Sequence, residues 1–262
     1  MITNLYGLPD YYDIAFTYDR DIEAEIDFIR RCFTRHARIE VKTVLEAACG
    51  SGMFLRGLPR HGYRVTGYDL SPEMVEYARQ SIVDCGLENC AEAVEGNMCS
   101  IRFPRSFDAA LTLISSLSYL TSDADLSSHF RIMSETVRPG GVYLVELFFA
   151  CADLAYEKLP YETWTAEREN LRIDVSWKLE DYDYAEKARN IRLEMDIRDN
   201  GRRFAFKERH RLRLWHYEDF QAFCREGKFH IEGIYDQRFL PIPPGTSITG
   251  ELGALYLALV KE

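Results

Sequence analysis

The sequence predicts an α/β fold: a doubly wound, mostly parallel sheet with helices on both faces, interrupted late in the chain by an antiparallel β insertion. Three observations predict it. Apolar runs and amphipathic helices alternate from residue 42 to 149, the rhythm that right-handed crossovers between parallel strands produce. From about 160 to 215 the helical spacing disappears, and LRIDVSWKLEDYDY and IRLEMDIRDNGRRFAFKERHRLRLW alternate with period two, as half-buried antiparallel strands do. The 262 residues supply enough chain for one large domain with an insertion and a full core.

In chain order, residues 19–37 read as an amphipathic helix, with Ile22, Ile26, Ile29 and Phe33 at helical spacing. Its acids lie in the first turns and its bases in the last, which suits the helix dipole. KTVLEAACG (42–50) is a strand buried on both faces, and GMFLRGLPRHG a short helix and turn. YRVTGYDL (63–70) is a second strand. The helix after it takes Ser71 as N-cap, Pro72 at its first position and Gly86 beyond its end. AEAVEGN (91–97) and FDAALTLISS (107–116) are the third and fourth strands, and 122–137 is a helix stopped by Arg138-Pro139-Gly140-Gly141. GVYLVELFF (141–149) is the fifth strand. Within the insertion, Asp199-Asn200-Gly201 is a hairpin turn signal, because these residues tolerate positive φ. YEDFQAFCREGK then forms a helix, and HIEGIYDQRF and ALYLALVKE two last strands.

Composition narrows the function classes. The net charge of -10 gives no broad attraction for phosphate backbones, so nucleic acid is not an expected partner. The 7 cysteines are odd in number and show no C-x-x-C or Cys/His ligand spacing, which argues against a disulfide framework and a zinc site; no metal is expected. MITNLYGLPDYYD has no secretory pattern, and no apolar run is long enough to span a membrane. A cytoplasmic location with reduced thiols, without membrane attachment, is the expectation, as a monomer or homodimer.

The chemistry centres on VLEAACGSGMF (44–54). Its glycines can cradle a pyrophosphate, sit under the methionine part of a sulfonium cofactor, or form only a tight turn. A dinucleotide fingerprint places a small residue where this chain has the bulky Leu55. Asp69, at the end of the second strand, can accept from both hydroxyls of a ribose, or serve only as an acid near the Ser71 cap.

Glu46-x-Ala48-x-Gly50-x-Gly52 resembles motif I of class I S-adenosylmethionine-dependent methyltransferases, with Ala48 in place of the first glycine. Glu95-Gly96-Asn97-Met98 resembles the family's G-D-M/A element, with Asn97 replacing the acid that accepts from the adenine amino group. FDAALTLISSLSYL and the Arg138-Pro139-Gly140-Gly141 turn into VYLVEL resemble the family's fourth and fifth strands. Tyr11-Tyr12-Asp13, the Ser115–Leu120 element and the insertion resemble a subgroup that holds small-molecule N-methyltransferases, among them sugar-amine and glycine-type enzymes.

That resemblance implies a seven-stranded Rossmann-like sheet whose last strand is antiparallel. It divides the chain into a domain of residues 1–150 and 216–262 with an N-terminal helical lid, and an insertion of 151–215 over the substrate side. It implies S-adenosyl-L-methionine as cofactor and methyl transfer to a small molecule, an amine being one acceptor. The cofactor residues it implies are Glu46, Ala48, Cys49, Gly50 and Gly52 in the loop; Asp69, Leu70 and Met74 after the second strand; Asn97 and Met98; and Leu113 and Ile114. Tyr11, Tyr12 and Tyr18, with Tyr6 and Phe16, form either a lid with aromatic faces for a cation or plain packing of the N-terminus. Tyr119 and Glu146 are the candidate catalytic groups. Asp108 reads as structural, and the six scattered histidines as structural or exposed. Two other readings stay open: a cofactor-binding protein without methyl transfer, and a methyltransferase acting on protein or RNA.

Overall fold

The computed structural model describes residues 4–149, 161–248 and 252–262. Residues 151–160 of the expected insertion and Cys151 lie outside the described residues. Two helices precede the first strand: α1 (Pro9–Thr17) and α2 (Ile22–His36). The alternation then runs β1 (Thr43–Ala47), α3 (Met53–Gly57), β2 (Arg64–Asp69), α4 (Pro72–Asp84), β3 (Ala91–Glu95), β4 (Phe107–Thr112), α5 (Asp123–Thr136) and β5 (Val137–Phe148). Four long strands follow: β6 (Tyr161–Arg168), β7 (Leu171–Asp183), β8 (Ala188–Asp199) and β9 (Arg202–Arg213). The chain closes with α6 (Tyr217–Glu226), β10 (Phe229–Tyr235) and β11 (Ala254–Lys261).

The large sheet has the order β10-β11-β5-β4-β1-β2-β3, with β11 antiparallel to both β5 and β10 and the other pairings parallel. Successive residues of β1 serve opposite faces. Val44 joins Ile26, Phe33 and Val75 on the side of α2 and α4, while Leu45 joins Phe130, Met133 and Phe220 on the side of α5 and α6. This two-sided burial is why the strand reads as a continuous apolar run. The sheet grows outward from β1 in one direction through β2 and in the other through β4. The switch between β1 and β4 opens a crevice beyond their carboxyl ends, where ligands of such sheets bind.

The smaller sheet, β6-β7-β8-β9, is antiparallel throughout. Its inner face shares a third core with the N-terminal segment: Ile173, Leu193, Met195 and Ile197 pack with Leu5, Leu8 and Ala15. Asn200 and Gly201 both have positive φ (48° and 81°), as a two-residue turn matched to strand twist requires.

Two expectations shift. The helix expected at 19–37 begins at Ile22, capped by Asp21, whose side chain accepts from the Ala24 N–H. Arg138-Pro139-Gly140-Gly141 does not separate α5 from β5: β5 already starts at Val137, and these residues form a bulge. The register jumps from Phe107↔Val137 to Ala109↔Val142. Gly140 takes φ 80° there, and its carbonyl accepts from the Arg38 N–H at 2.8 Å. Asp108 fixes the same corner, accepting from Lys42 N, Thr43 N and Thr43 Oγ1 and pairing with Arg138. Burial would raise its pKa, but these donors outweigh burial and hold it below the usual carboxylate range, a structural role.

Candidate active site

The glycine loop follows β1 directly. Ala48, Gly50 and Gly52 have φ of 52°, 51° and 81°. The glycines adopt this region without strain, whereas Ala48 costs on the order of 1 kcal/mol. Three contacts hold the loop: Cys49 N–H donates to Tyr68 O at 3.0 Å, Gly50 N–H donates to Asp69 Oδ2 at 2.8 Å, and Gly52 abuts α4, where a Cβ would lie 3.0 Å from Ala78 Cβ. Gly67 matters as well. A Cβ there would stand 2.8 Å from both Cβ and Sγ of the buried Cys49.

Two acids flank the loop. Asp69 accepts from Gly50 N–H on one oxygen and from Ser71 N–H on the other. Burial raises its pKa, and these backbone donors offset only part of the rise. With the Leu70 N–H also acting on it, the carboxylate still keeps capacity for a further donor. Glu46 is more unusual. It is buried, and its Oε2 has no hydrogen-bond partner among the described residues. Burial pushes its pKa well up and the neighbouring Asp69 adds to the rise, with Arg56 opposing. Ser51 Oγ, in the same loop, is likewise buried and without a partner among the described residues. Buried polar atoms are rarely left so, and a cationic, hydrogen-bonding ligand is what this pair of orphans suits.

The N-terminal segment covers the loop. Tyr12 Cε1 lies 3.6 Å from where a Cβ on Gly50 would be, and the Tyr12 ring stacks on Phe16 at 4.7 Å. Arg56 joins the layers: it donates to Asp13 Oδ1 at 2.8 Å and to the Ser51 carbonyl at 2.7 Å, tying α1 to the loop. The Tyr6 carbonyl accepts from Ser71 Oγ at 3.2 Å. The Tyr6 hydroxyl donates to Tyr119 at 2.6 Å.

The loop after β4 forms the opposite wall. Ile114 and Ser115 have φ of 53° and 51°, a second strained turn at the switch point. Glu146 holds it, accepting from Ile114 N–H at 2.6 Å and lying 3.6 Å from Arg20. Arg20 in turn grips Glu25, to which Tyr256 also donates at 2.9 Å. Burial raises the Glu146 pKa and Arg20 opposes the rise. The structure thus engages Glu146 with backbone and guanidinium.

The structure brings Tyr12, Glu46, Ala48, Cys49, Gly50, Gly52 and Asp69 together, with Leu113 buried and Ile114 at the facing turn. Leu70, beside Asp69, is 71% exposed. Asn97 uses its side-chain oxygen to accept from Cys99 N–H at 2.7 Å, shaping its own turn, and Met98 packs against the core on the α5 side. Met74 is wholly buried. Tyr11 is turned to the small sheet, donating to Asp199 and meeting Phe204 edge-on, and Tyr18 is 53% exposed at the end of α1. Arg20, Glu25, Arg56, Tyr256 and His210 escape the reading of the sequence, because each meets a partner distant in the chain: Glu146 for Arg20, Tyr256 for Glu25, Asp13 for Arg56 and Tyr119 for His210. Ser51 stands within the glycine loop, but no local pattern marks its hydroxyl as buried.

A doubly wound sheet with a strained glycine loop after β1 and an acid after β2 defines a nucleotide-type cofactor site. Residues 44–141 match the family described as Methyltransferase domain. The chain is similar to the dTDP-3-amino-3,4,6-trideoxy-alpha-D-glucopyranose N,N-dimethyltransferase of Streptomyces venezuelae: 30% identical over 138 residues, 52% of this chain and 55% of that one. It therefore spans about half the length of that curated relative. Among solved structures, an S-adenosylmethionine-dependent methyltransferase from Clostridium acetobutylicum ATCC 824 matches with TM-score 0.78 at 19% identity, over 98% of this chain and 99% of that one. SAM-bound CalS10, an amino pentose methyltransferase from Micromonospora echinaspora, matches with TM-score 0.72 at 18% identity, over 95% and 96%. These two likenesses show the fold alone, a Rossmann-like sheet with an added antiparallel sheet.

Proposed function

We propose that this protein is an S-adenosyl-L-methionine-dependent methyltransferase acting on a small molecule, with an amine as the accepting group. The observation that carries the reading is Glu46, a buried carboxylate with an orphan oxygen beside a glycine loop, the fit expected for a cofactor bearing cationic groups. The matched family over residues 44–141 and the amine-methylating relative support it. The cluster in which the Tyr6 ring meets those of Tyr12 and Tyr119 supports a small acceptor over a polymer.

When bound, the cofactor supplies a methyl group already activated by its sulfonium. The chain's own work is alignment and exclusion of water. Glu46 and the glycine loop would receive the methionine end, and Asp69 would accept from ribose hydroxyls with the lone pairs its backbone donors leave free. Tyr12 and Phe16 would close over the loop. Glu146, by fixing the Ile114 N–H, would hold the facing wall in its strained form.

Calorimetry tests the reading directly. S-adenosyl-L-methionine is expected to bind, and Asp69→Ala to weaken binding at least tenfold, since charged hydrogen bonds contribute roughly 1.5–3 kcal/mol each. No binding of the cofactor or its demethylated product by the unaltered chain would overturn it. Product formation across amines, phenols and carboxylic acids then identifies the acceptor class.

A further inference from the structure

We propose that Tyr6, Tyr119 and His210 form a proton relay that takes the proton of an ammonium acceptor and frees its nitrogen for attack. The inference rests on the methyl-transfer reading above and extends it into the small sheet.

Three separate parts of the chain build the relay. The Tyr6 hydroxyl lies 2.6 Å from that of Tyr119, and the Tyr119 hydroxyl 3.1 Å from His210 Nδ1. His210 is buried on β9, with the Trp177 ring stacked on it at 5.3 Å. Among the described residues its Nε2 makes no hydrogen bond, and it lies 3.7 Å from Glu208 Oε2, a carboxylate anchored by the Leu5 N–H at 2.7 Å. At the other end, Tyr6 borders the cofactor loop. Its carbonyl accepts from Ser71, and its ring is 5.9 Å from that of Tyr12, which covers Gly50.

Electrostatics gives the chain a direction. A neutral imidazole carries one proton, and the Glu208 carboxylate facing Nε2 draws it there. Nδ1 is then a lone pair, so Tyr119 donates to it and accepts from Tyr6. The Tyr6 oxygen keeps a free lone pair, the acceptor that an incoming N–H would meet. The groups facing His210 are Glu208 on its own strand, Tyr119 and Tyr6, with Arg189 of β8 acting on Tyr119. Burial lowers the His210 pKa against the opposing pull of Glu208, so the ring is neutral and able to accept at pH 7. Burial raises both tyrosines, Tyr119 to about 12, so they pass protons on without ionising.

An alkylammonium has no lone pair and cannot displace a sulfonium. With its N–H at the Tyr6 oxygen, the N–H bond breaks and its proton joins that oxygen. The Tyr6 proton moves to the Tyr119 oxygen, and the Tyr119 proton to His210 Nδ1. A neutral amine and an imidazolium beside Glu208 result, with every proton accounted for. His210 touches no substrate; it is a positioning and proton-storing residue acting through the tyrosines.

The test reads the imidazole itself. In the full chain labelled with 15N-histidine, the His210 signals are identified by their loss in His210→Gln. At pH 7.5 we expect the Nε2–H form, a pKa below 6.5, and a rise in that pKa in Tyr119→Phe, which removes the donor to Nδ1. A proton on Nδ1, or a pKa unmoved by Tyr119→Phe, would overturn the relay whatever the acceptor. In turnover with the dTDP-amino sugar named for the Streptomyces venezuelae relative, His210→Gln is expected to lower kcat about 100-fold or more. KM and cofactor affinity should hold, and the acid limb of the pH profile should disappear. Glutamine still accepts from Tyr119, so a purely structural histidine would be rescued. Activity within threefold of the unaltered chain would overturn the relay and leave methyl transfer standing. Absence of cofactor binding would instead overturn the underlying reading, while the 15N signals would still decide the relay.

Discussion

At the scale of single residues, Glu46 sets function against stability. An unpartnered buried carboxylate destabilises a fold once the unfolded chain can ionise it. Its raised pKa fixes the sign. Near pH 4 the group is protonated in both states and carries no penalty. As pH rises above the ordinary glutamate value, the unfolded chain gives up the proton first, and stability falls until the folded group also ionises. Glu46→Gln should therefore stabilise the free protein by on the order of 1 kcal/mol at pH 7 and by almost nothing at pH 4. Urea denaturation at both values checks this. The same substitution should weaken cofactor binding by tenfold or more in calorimetry, and a variant gaining stability without losing affinity would remove Glu46 from the site. A second residue-scale prediction concerns packing. Gly67→Ala pushes a methyl to 2.8 Å from the Cys49 side chain and from Leu55 Cδ1, and overpacking of this kind costs about 1–3 kcal/mol. Because Cys49 belongs to the glycine loop, the lower urea midpoint should be accompanied by weaker cofactor binding.

At the scale of elements, α1 is the part that covers the site, and Arg56 is its tie. Its guanidinium spans Asp13 on α1 and the Ser51 carbonyl of the loop, with side-chain exposures of 22% and 16% for Arg56 and Asp13. Arg56→Ala should speed amide exchange across Pro9–Thr17 and weaken cofactor binding roughly tenfold, the order expected for partly buried charged hydrogen bonds. Unchanged exchange would mean that the aromatic contacts alone hold the helix. The same element marks where sequence reasoning stops. Strands and helices with local signals were legible: Ser71 caps α4 through the Met74 N–H, and Asn200-Gly201 turns the β8–β9 hairpin. So were the glycines and acids at strand ends, because their spacing is itself the signal. Helix α1 offers only Pro9 at its first position and Asp10 in its first turn, with no side-chain cap. It is held by Trp164 donating to the Ala15 carbonyl and by Tyr11 donating to Asp199, contacts 149 and 188 residues away in the chain. His210 read as an isolated histidine for the same reason, since Tyr119 is 91 residues distant.

At the scale of the whole molecule, the large sheet is cross-braced through His129, which is wholly buried on α5. Its Nε2 bonds the Tyr143 hydroxyl of β5 at 2.8 Å, which also meets Thr112 Oγ1 of β4 at 2.8 Å, while its Nδ1 lies 3.3 Å from the Met98 carbonyl. One imidazole thus joins α5, two strands and the loop after β3. Burial lowers its pKa to about 4, against about 6.5 in the unfolded chain. Between those values the unfolded chain binds a proton that the folded one refuses. Stability is therefore full above about pH 6.5 and falls as pH drops toward 4, by about 2 kcal/mol between pH 7 and 5. The Glu46 effect runs the opposite way over part of this range, so the His129 share must be read as a difference between variants. His129→Gln lowers stability at pH 7 by breaking the brace, yet its urea midpoint should decline less between pH 7 and 5 than that of the unaltered chain. Parallel declines in the two proteins would place the acid sensitivity elsewhere, with His36 and His210, whose pKa values burial also lowers, the next to substitute.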